Sequence, residues 1–248
     1  DLSFTETMNE ILIAKNLAKA FGRVKAVADV SFAVRQGELL GVLGPNGAGK
    51  TSMFNLLTGV YMPDGGQIVF EGHDITRMAA SKRCKLGLGR TFQIPRTFAD
   101  MTVYENLLVG ATFGGGQREK DCKREVSQIM ELTDLWERRN DFARTLTLLG
   151  RKRLELARGL ATRPKVLLLD EIAGGLTETE AHEVLDVVKS IQSRGVTIIW
   201  IEHVMSMMEG VDRLLALAQG CTIMCDDPQA VMCSEEVAAC YLGAGQGE

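Results

Sequence analysis

The residues most able to do chemistry form one run, Gly44-Pro45-Asn46-Gly47-Ala48-Gly49-Lys50-Thr51, with the spacing G-x-x-x-x-G-K-[ST]. Its glycines let the backbone turn N–H groups inward, where they cradle phosphate oxygens at the positive start of a helix. Lys50 would reach the β- and γ-phosphates of a nucleotide, and the Thr51 hydroxyl would ligate Mg²⁺. Such a motif requires a strand before it and a helix after it. Leu39-Leu40-Gly41-Val42-Leu43 and the helical run Ser52–Leu57 supply both. A second apolar run, Val166–Leu169, ends in Asp170-Glu171. An acid at that strand end can hold Mg²⁺ opposite the phosphate loop, and its neighbour can polarise an attacking water as general base. A third run, Val196–Ile201, ends in Glu202-His203.

Continuous apolar runs suit strands covered on both faces, as in a parallel α/β sheet, where ligands gather at the carboxyl ends of strands. The N-terminal part differs. Ile11–Ala14, Ala26–Val34 and Gln67–Glu71 alternate and are separated by Gly-containing turns, which predicts a small antiparallel sheet. Between Ile94 and Arg163 the periodicity is helical, at Val103–Val109, Glu125–Leu135 and Lys152–Ala161, with Gly114-Gly115-Gly116-Gln117 as a flexible connection. The expected fold is therefore α/β: a P-loop NTPase core with a mainly parallel sheet, an N-terminal antiparallel β subdomain and an inserted helical subdomain. Residues 1–9 read as an N-terminal extension and 10–248 as a single domain. Its nucleotide-binding core is 10–93 and 164–248, and its helical subdomain is 94–163.

Composition narrows the function classes. Among 248 residues, 46% are hydrophobic and 24% charged, which excludes disorder or coiled coil for the whole chain. A net charge of −4 implies no basic nucleic-acid surface, and 6% aromatics do not make a base-stacking platform. No apolar stretch approaches the ~20 residues that span a bilayer. The first ten residues are polar and acidic, unlike a secretory signal. Six cysteines without a paired ligand spacing read as reduced thiols of a cytosolic protein.

Taken in order, the phosphate loop, Thr91-Phe92-Gln93, a helical segment, Leu146-Thr147 with Arg153-Leu154-Glu155-Leu156-Ala157-Arg158, Asp170-Glu171 and His203 resemble the ATP-binding subunits of ABC transporters. The resemblance runs from Ile11 to about Leu242. Gly89-Arg90-Thr91-Phe92-Gln93, the stretch from Phe98 to Leu107, and Val237-Ala238-Ala239-Cys240-Tyr241-Leu242-Gly243 are similar to one ATPase subunit of branched-chain amino-acid importers.

The resemblance assigns roles residue by residue. Phe21 falls where the family stacks an aromatic on adenine. Gln93 matches the residue that senses Mg²⁺ and the attacking water near the membrane-subunit contact. His203 matches the switch histidine that contacts the γ-phosphate. Glu171 becomes the catalytic base, Asp170 a metal ligand with Thr51 and Gln93, and Gly44 to Ser52 the phosphate cradle. Leu146-Thr147-Leu148-Leu149-Gly150 stands where most members read Leu-Ser-Gly-Gly-Gln, the signature that completes a partner's site. Leucines occupy both glycine positions, with Gly150 as a substitute if one residue is deleted. Lys152, after the signature, is expected to face solvent. Ile172 replaces the family's proline.

The resemblance implies ATP and Mg²⁺ as cofactors, a second ATPase subunit, transmembrane permease subunits and, indirectly, a solute-binding protein. It implies a position at the cytoplasmic face of the membrane and no nucleic acid. The alternative is a soluble ABC-type ATPase uncoupled from transport. Those usually carry two nucleotide domains or a long coiled-coil insertion, and this chain has neither.

Overall fold

The computed structural model describes residues 9–116 and 118–243; residues 1–8 of the expected extension and Gln117 of the glycine connection lie outside the described residues. The continuous apolar runs form strands β3 (Leu39–Leu43), β7 (Val166–Asp170) and β8 (Thr197–Ile201), buried along their whole length. Around them stand β1 (Glu10–Phe21), β2 (Val24–Arg35), β4 (Gly65–Phe70), β5 (His73–Asp74), β6 (Leu88–Arg90), β9 (Arg213–Ala218) and β10 (Cys221–Asp226). Among the described residues they form one sheet in the order β5-β4-β1-β2-β10-β9-β3-β8-β7-β6. From β9 through β3, β8 and β7 to β6 every pair is parallel. The β5-β4-β1-β2 end is antiparallel, as the alternating pattern predicts.

β1 and β2 outrun the alternating segments read from the sequence. Register shifts between Ala14 and Leu17, and again at Lys19, let β1 stay paired past the break in its pattern. Asn16, in the left-handed region at φ 47°, sits inside the shift between Ala14 and Leu17.

Successive residues of the parallel strands face opposite sides and feed two cores. Leu40, Val42, Leu168 and Ile199 pack with Met53, Phe54 and Leu57 of helix α1 (Lys50–Leu57) and with the antiparallel strands. Leu39, Leu43, Leu169, Ile198 and Trp200 pack on the other face with the inserted helices. These are α3 (Val103–Val109), α4 (Glu119–Leu132) and α5 (Leu148–Ala161), after the short α2 (Ala80–Leu86). Later come α6 (Glu178–Gln192), α7 (Met205–Met208), α8 (Pro228–Met232) and α9 (Glu235–Gly243). Capping boxes start α3 (Thr102 with Glu105) and α6 (Thr177 with Glu180), so both entry points are set by side chains that answer orphan N–H groups. The glycine connection begins as the end of a π-helical turn, Gly110–Gly114, rather than as coil throughout. A Cβ at Gly110 would lie 2.9 Å from the Arg158 carbonyl, so this turn needs glycine to seat against α5.

Candidate functional site

The loop between β3 and α1 holds the motif Gly44 to Thr51. Gly49 has φ 97°, and a Cβ there would come within 2.4 Å of the Ala26 carbonyl, so only glycine permits this approach. Lys50 is 6% exposed, and its ammonium donates to the carbonyls of Gly44 at 2.6 Å and Pro45 at 3.1 Å. Burial lowers its pKa, against the upward pull of Glu171 and then Asp170. A cavity of about 360 Å³ opens here, lined by Val24, Lys25, Ala26, the loop and helix start from Asn46 to Ser52, and Glu171. Gly44 and Pro45 do not line it; they serve Lys50 through their carbonyls. A larger cavity, about 660 Å³, flanks the same loop on the α9 side, but the one charged residue lining it is Glu236, which repels phosphate. Phe21 ends β1 as an open ring, 44% exposed and edge-to-face with Tyr61 at 5.1 Å. It lies outside the 360 Å³ lining, at the open end of β1.

Asp170, at the end of β7, is 3% exposed. One oxygen, Oδ2, accepts from Arg90 Nη2 at 2.8 Å; the other, Oδ1, is buried without a hydrogen-bond partner among the described residues. A buried carboxylate oxygen left unpaired is costly, and a hard cation would answer it. With the Thr51 hydroxyl as a second hard oxygen donor, the residues fit Mg²⁺. Arg90 also donates to Asn55 Oδ1 at 2.6 Å and stacks over Phe92 at 5.0 Å, which holds its guanidinium against Asp170.

Glu171 adopts φ 46°, and its N–H donates to the Ile201 carbonyl at 2.9 Å, turning its side chain toward the cavity that it lines. Gln93 Nε2 donates to Oε2 of that carboxylate, and His203 Nε2 lies 2.7 Å from Oε1. Toward a carboxylate, which accepts only, His203 Nε2 is the donor of this contact. The structure thus brings Gln93, Glu171 and His203 together at one flank of the phosphate loop. An amide, a carboxylate and an imidazole so joined can orient a water and accept its proton beside a held phosphate.

The signature segment starts α5. Thr147 caps the helix, its Oγ1 accepting from Gly150 N–H at 3.2 Å, so that N–H is already engaged within the turn. The two leucines separate: Leu148 is 39% exposed, whereas Leu149 packs against the helical core. Lys152 corrects the sequence reading. It does not face solvent but is 5% exposed, because its Nζ donates to the carbonyls of Gln93 at 3.0 Å and Glu171 at 3.1 Å. The available signal was its place four residues before Leu156, on the buried side of α5.

Three further residues carry no assignment from the sequence. Arg90 braces Asp170, Tyr61 braces Phe21, and Glu202 lies 1% exposed behind His203. Glu202 accepts from Ala173 N–H at 2.7 Å, His203 N–H at 3.3 Å and Trp200 Nε1 at 3.3 Å.

The chain matches the ABC transporter family over residues 27–174. It is 34% identical over 253 aligned residues to the high-affinity branched-chain amino acid transport ATP-binding protein LivG of Salmonella typhimurium, covering 95% of this chain and 99% of LivG. To the corresponding protein BraF of Pseudomonas aeruginosa it is 34% identical, covering 94% and 98%. Among solved structures, the ADP conformation of MJ1267, an ATP-binding cassette of an ABC transporter, superposes with TM-score 0.86 at 30% identity over 94% of this chain and 99% of that one.

Proposed function

Given that this chain belongs to the ABC transporter family and is an ATP-binding, ATP-hydrolysing subunit, we propose that it drives an importer for branched-chain amino acids or similar small solutes. The likeness to LivG and BraF over nearly the whole chain supports that choice of cargo. In this reading Gly44 to Ser52 hold the triphosphate, Lys50 exchanges its own loop carbonyls for β- and γ-phosphate oxygens, and Phe21 stacks on adenine. Glu171 accepts the proton of the attacking water, Gln93 orients that water, and His203 bridges Glu171 and the γ-phosphate. Mg²⁺, held by Thr51, Asp170 and Gln93, would supply charge stabilisation to the phosphoryl oxygens.

Leu146 to Gly150 are offered to the site of a second ATPase subunit. Permease subunits supply the membrane path, since no helix among the described residues is long and apolar enough to cross a membrane. A solute-binding protein delivers the cargo, and the chain works at the cytoplasmic face.

The observation that carries this reading is the convergence of Gln93 and His203 on the two oxygens of Glu171 beside the phosphate loop. The test is calorimetric titration with Mg-ATP. Lys50→Ala is expected to abolish most binding, and equal affinity in both proteins would remove the assignment.

A further inference from the structure

Lys152 closes a ring. Its ammonium holds the backbone carbonyls of Gln93 and Glu171, and the side chains of those same two residues meet through Gln93 Nε2 and Glu171 Oε2. Burial of a lysine is costly. Here burial lowers the Lys152 pKa, opposed by Glu202 first and then by Glu171, Glu155 and Asp170, yet among the described residues its hydrogen-bond partners are carbonyls rather than carboxylates. The ammonium is directed instead at two loop carbonyls. One belongs to the segment that carries Gln93, the other to a residue in the left-handed region whose side chain faces His203.

A residue that merely filled this space would be apolar, as Leu154 and Leu156 on the same helix are. Lys152 stands in the opening turns of α5, the helix that Thr147 caps. Any displacement of that helix start moves the anchor on which the Gln93–Glu171 pairing rests.

We propose that Lys152 is a positioning residue through which the start of α5 sets the aim of Glu171. Engagement of Thr147 to Gly150 by a second subunit is thereby sensed in the chain's own hydrolytic site. The inference rests on the reading of Glu171 as the base.

The experiment uses the full chain with Mg-ATP and compares Lys152→Met, which keeps length without donors, with Lys152→Arg, which keeps several. Lys152→Met is expected to lower kcat about tenfold or more, leave ATP affinity within about threefold, and make turnover non-cooperative in ATP. Lys152→Arg is expected to recover at least about half of kcat and the cooperativity. Should the methionine variant fail to fold, Lys152→Gln, with a single amide donor group, takes its place with an intermediate kcat expected. An unchanged kcat overturns the proposal, as does a loss matched by an equal loss of ATP affinity, or no recovery by arginine. A wild-type chain that binds ATP but whose turnover survives Glu171→Gln would overturn the reading of the site instead.

Discussion

Replacing Arg83 by methionine is expected to loosen the phosphate-loop helix from its far end. Arg83 is 0% exposed, although it lies in a run with Lys82 and Lys85. Its guanidinium donates to four carbonyls: Met78 at 2.8 Å, Leu56 at 2.6 Å, Leu57 at 2.8 Å and Thr76 at 2.9 Å. Leu56 and Leu57 are the last residues of α1, where the carbonyls form the negative end of the helix, so the cation grips that end directly. Without it, Leu56 keeps a donor in Gly59 N–H at 3.2 Å, and the other three carbonyls are stranded. At ~2 kcal/mol for the buried Leu57 acceptor and ~1 kcal/mol for each of the half-buried Thr76 and Met78 acceptors, the loss is ~4 kcal/mol. Against this, methionine removes a buried charge. Burial brings the Arg83 pKa from 12.5 down to about 10, equivalent to ~3 kcal/mol at ~1.4 kcal/mol per pKa unit. The net destabilisation is then ~1 kcal/mol. Urea unfolding at neutral pH, followed through buried Trp200, measures it. A change under ~0.5 kcal/mol would refute the reasoning, because it would mean that water or a neighbour replaces all three bonds.

Other substitutions probe the hydrolytic arrangement. Glu171→Gln keeps an acceptor for Gln93 but cannot take a proton, so ATP should trap a dimer visible by light scattering; a monomer even with candidate partner ATPases present would rule out the sandwich. Leu148→Gly bares backbone at the exposed start of α5 and should raise steady-state turnover several-fold, roughly the effect of regaining 1–2 kcal/mol. Leu149→Gly should instead lower stability, and no gain from Leu148→Gly would show that Thr147 and Gly150 suffice. Glu202 gives a pH signature. Burial, with Glu171 adding to it, raises its pKa above 4.5 against the N–H donors that favour the carboxylate. The folded state therefore favours the protonated form, and this stability is present below 4.5 and lost as pH rises through the raised value. Glu202→Gln should lack that slope, so its urea midpoint should gain on wild type as pH rises from 4.5 through the raised value; a constant difference would reject the assignment.

What the sequence made legible was set by local physics. Leu39–Leu43, Val166–Leu169 and Val196–Ile201 are apolar without alternation because both faces are covered, and the strands they mark lie in the parallel part of the sheet. Residues at the carboxyl ends of those strands, Gly44 onward, Asp170-Glu171 and His203, were therefore readable as one site. Less legible were groups whose partners are far along the chain. Lys152 binds carbonyls of residues 93 and 171, and Arg83 binds those of 56 and 57. Side-chain type alone sends a lysine or arginine to the surface, and only the assembled fold supplies carbonyls to hold it inside. β1 escaped full delineation for another reason: its bulges shift the face of each residue, so period-two reading stops at the shift between Ala14 and Leu17.

The neighbours of β3 bear on the order in which the molecule can be made. Leu39 to Val42 pair with Ile198 to Ile201 on one side, and Leu40 to Leu43 pair with Arg213 to Ala216 on the other. Among the described residues, the strand that launches the phosphate loop thus has no sheet partner until β8 and β9 have been synthesised. Closure at such sequence separation is entropically late and slow. During translation the emerging chain holds the whole of Gly44 to Thr51, and then Glu171, before it holds either strand that flanks β3. Both edges of apolar β3 stay unpaired through that interval, a window for chaperones or aggregation. The strand that carries the phosphate loop is thus seated last between β8 and β9, so the loop gains its final support only after both have been made.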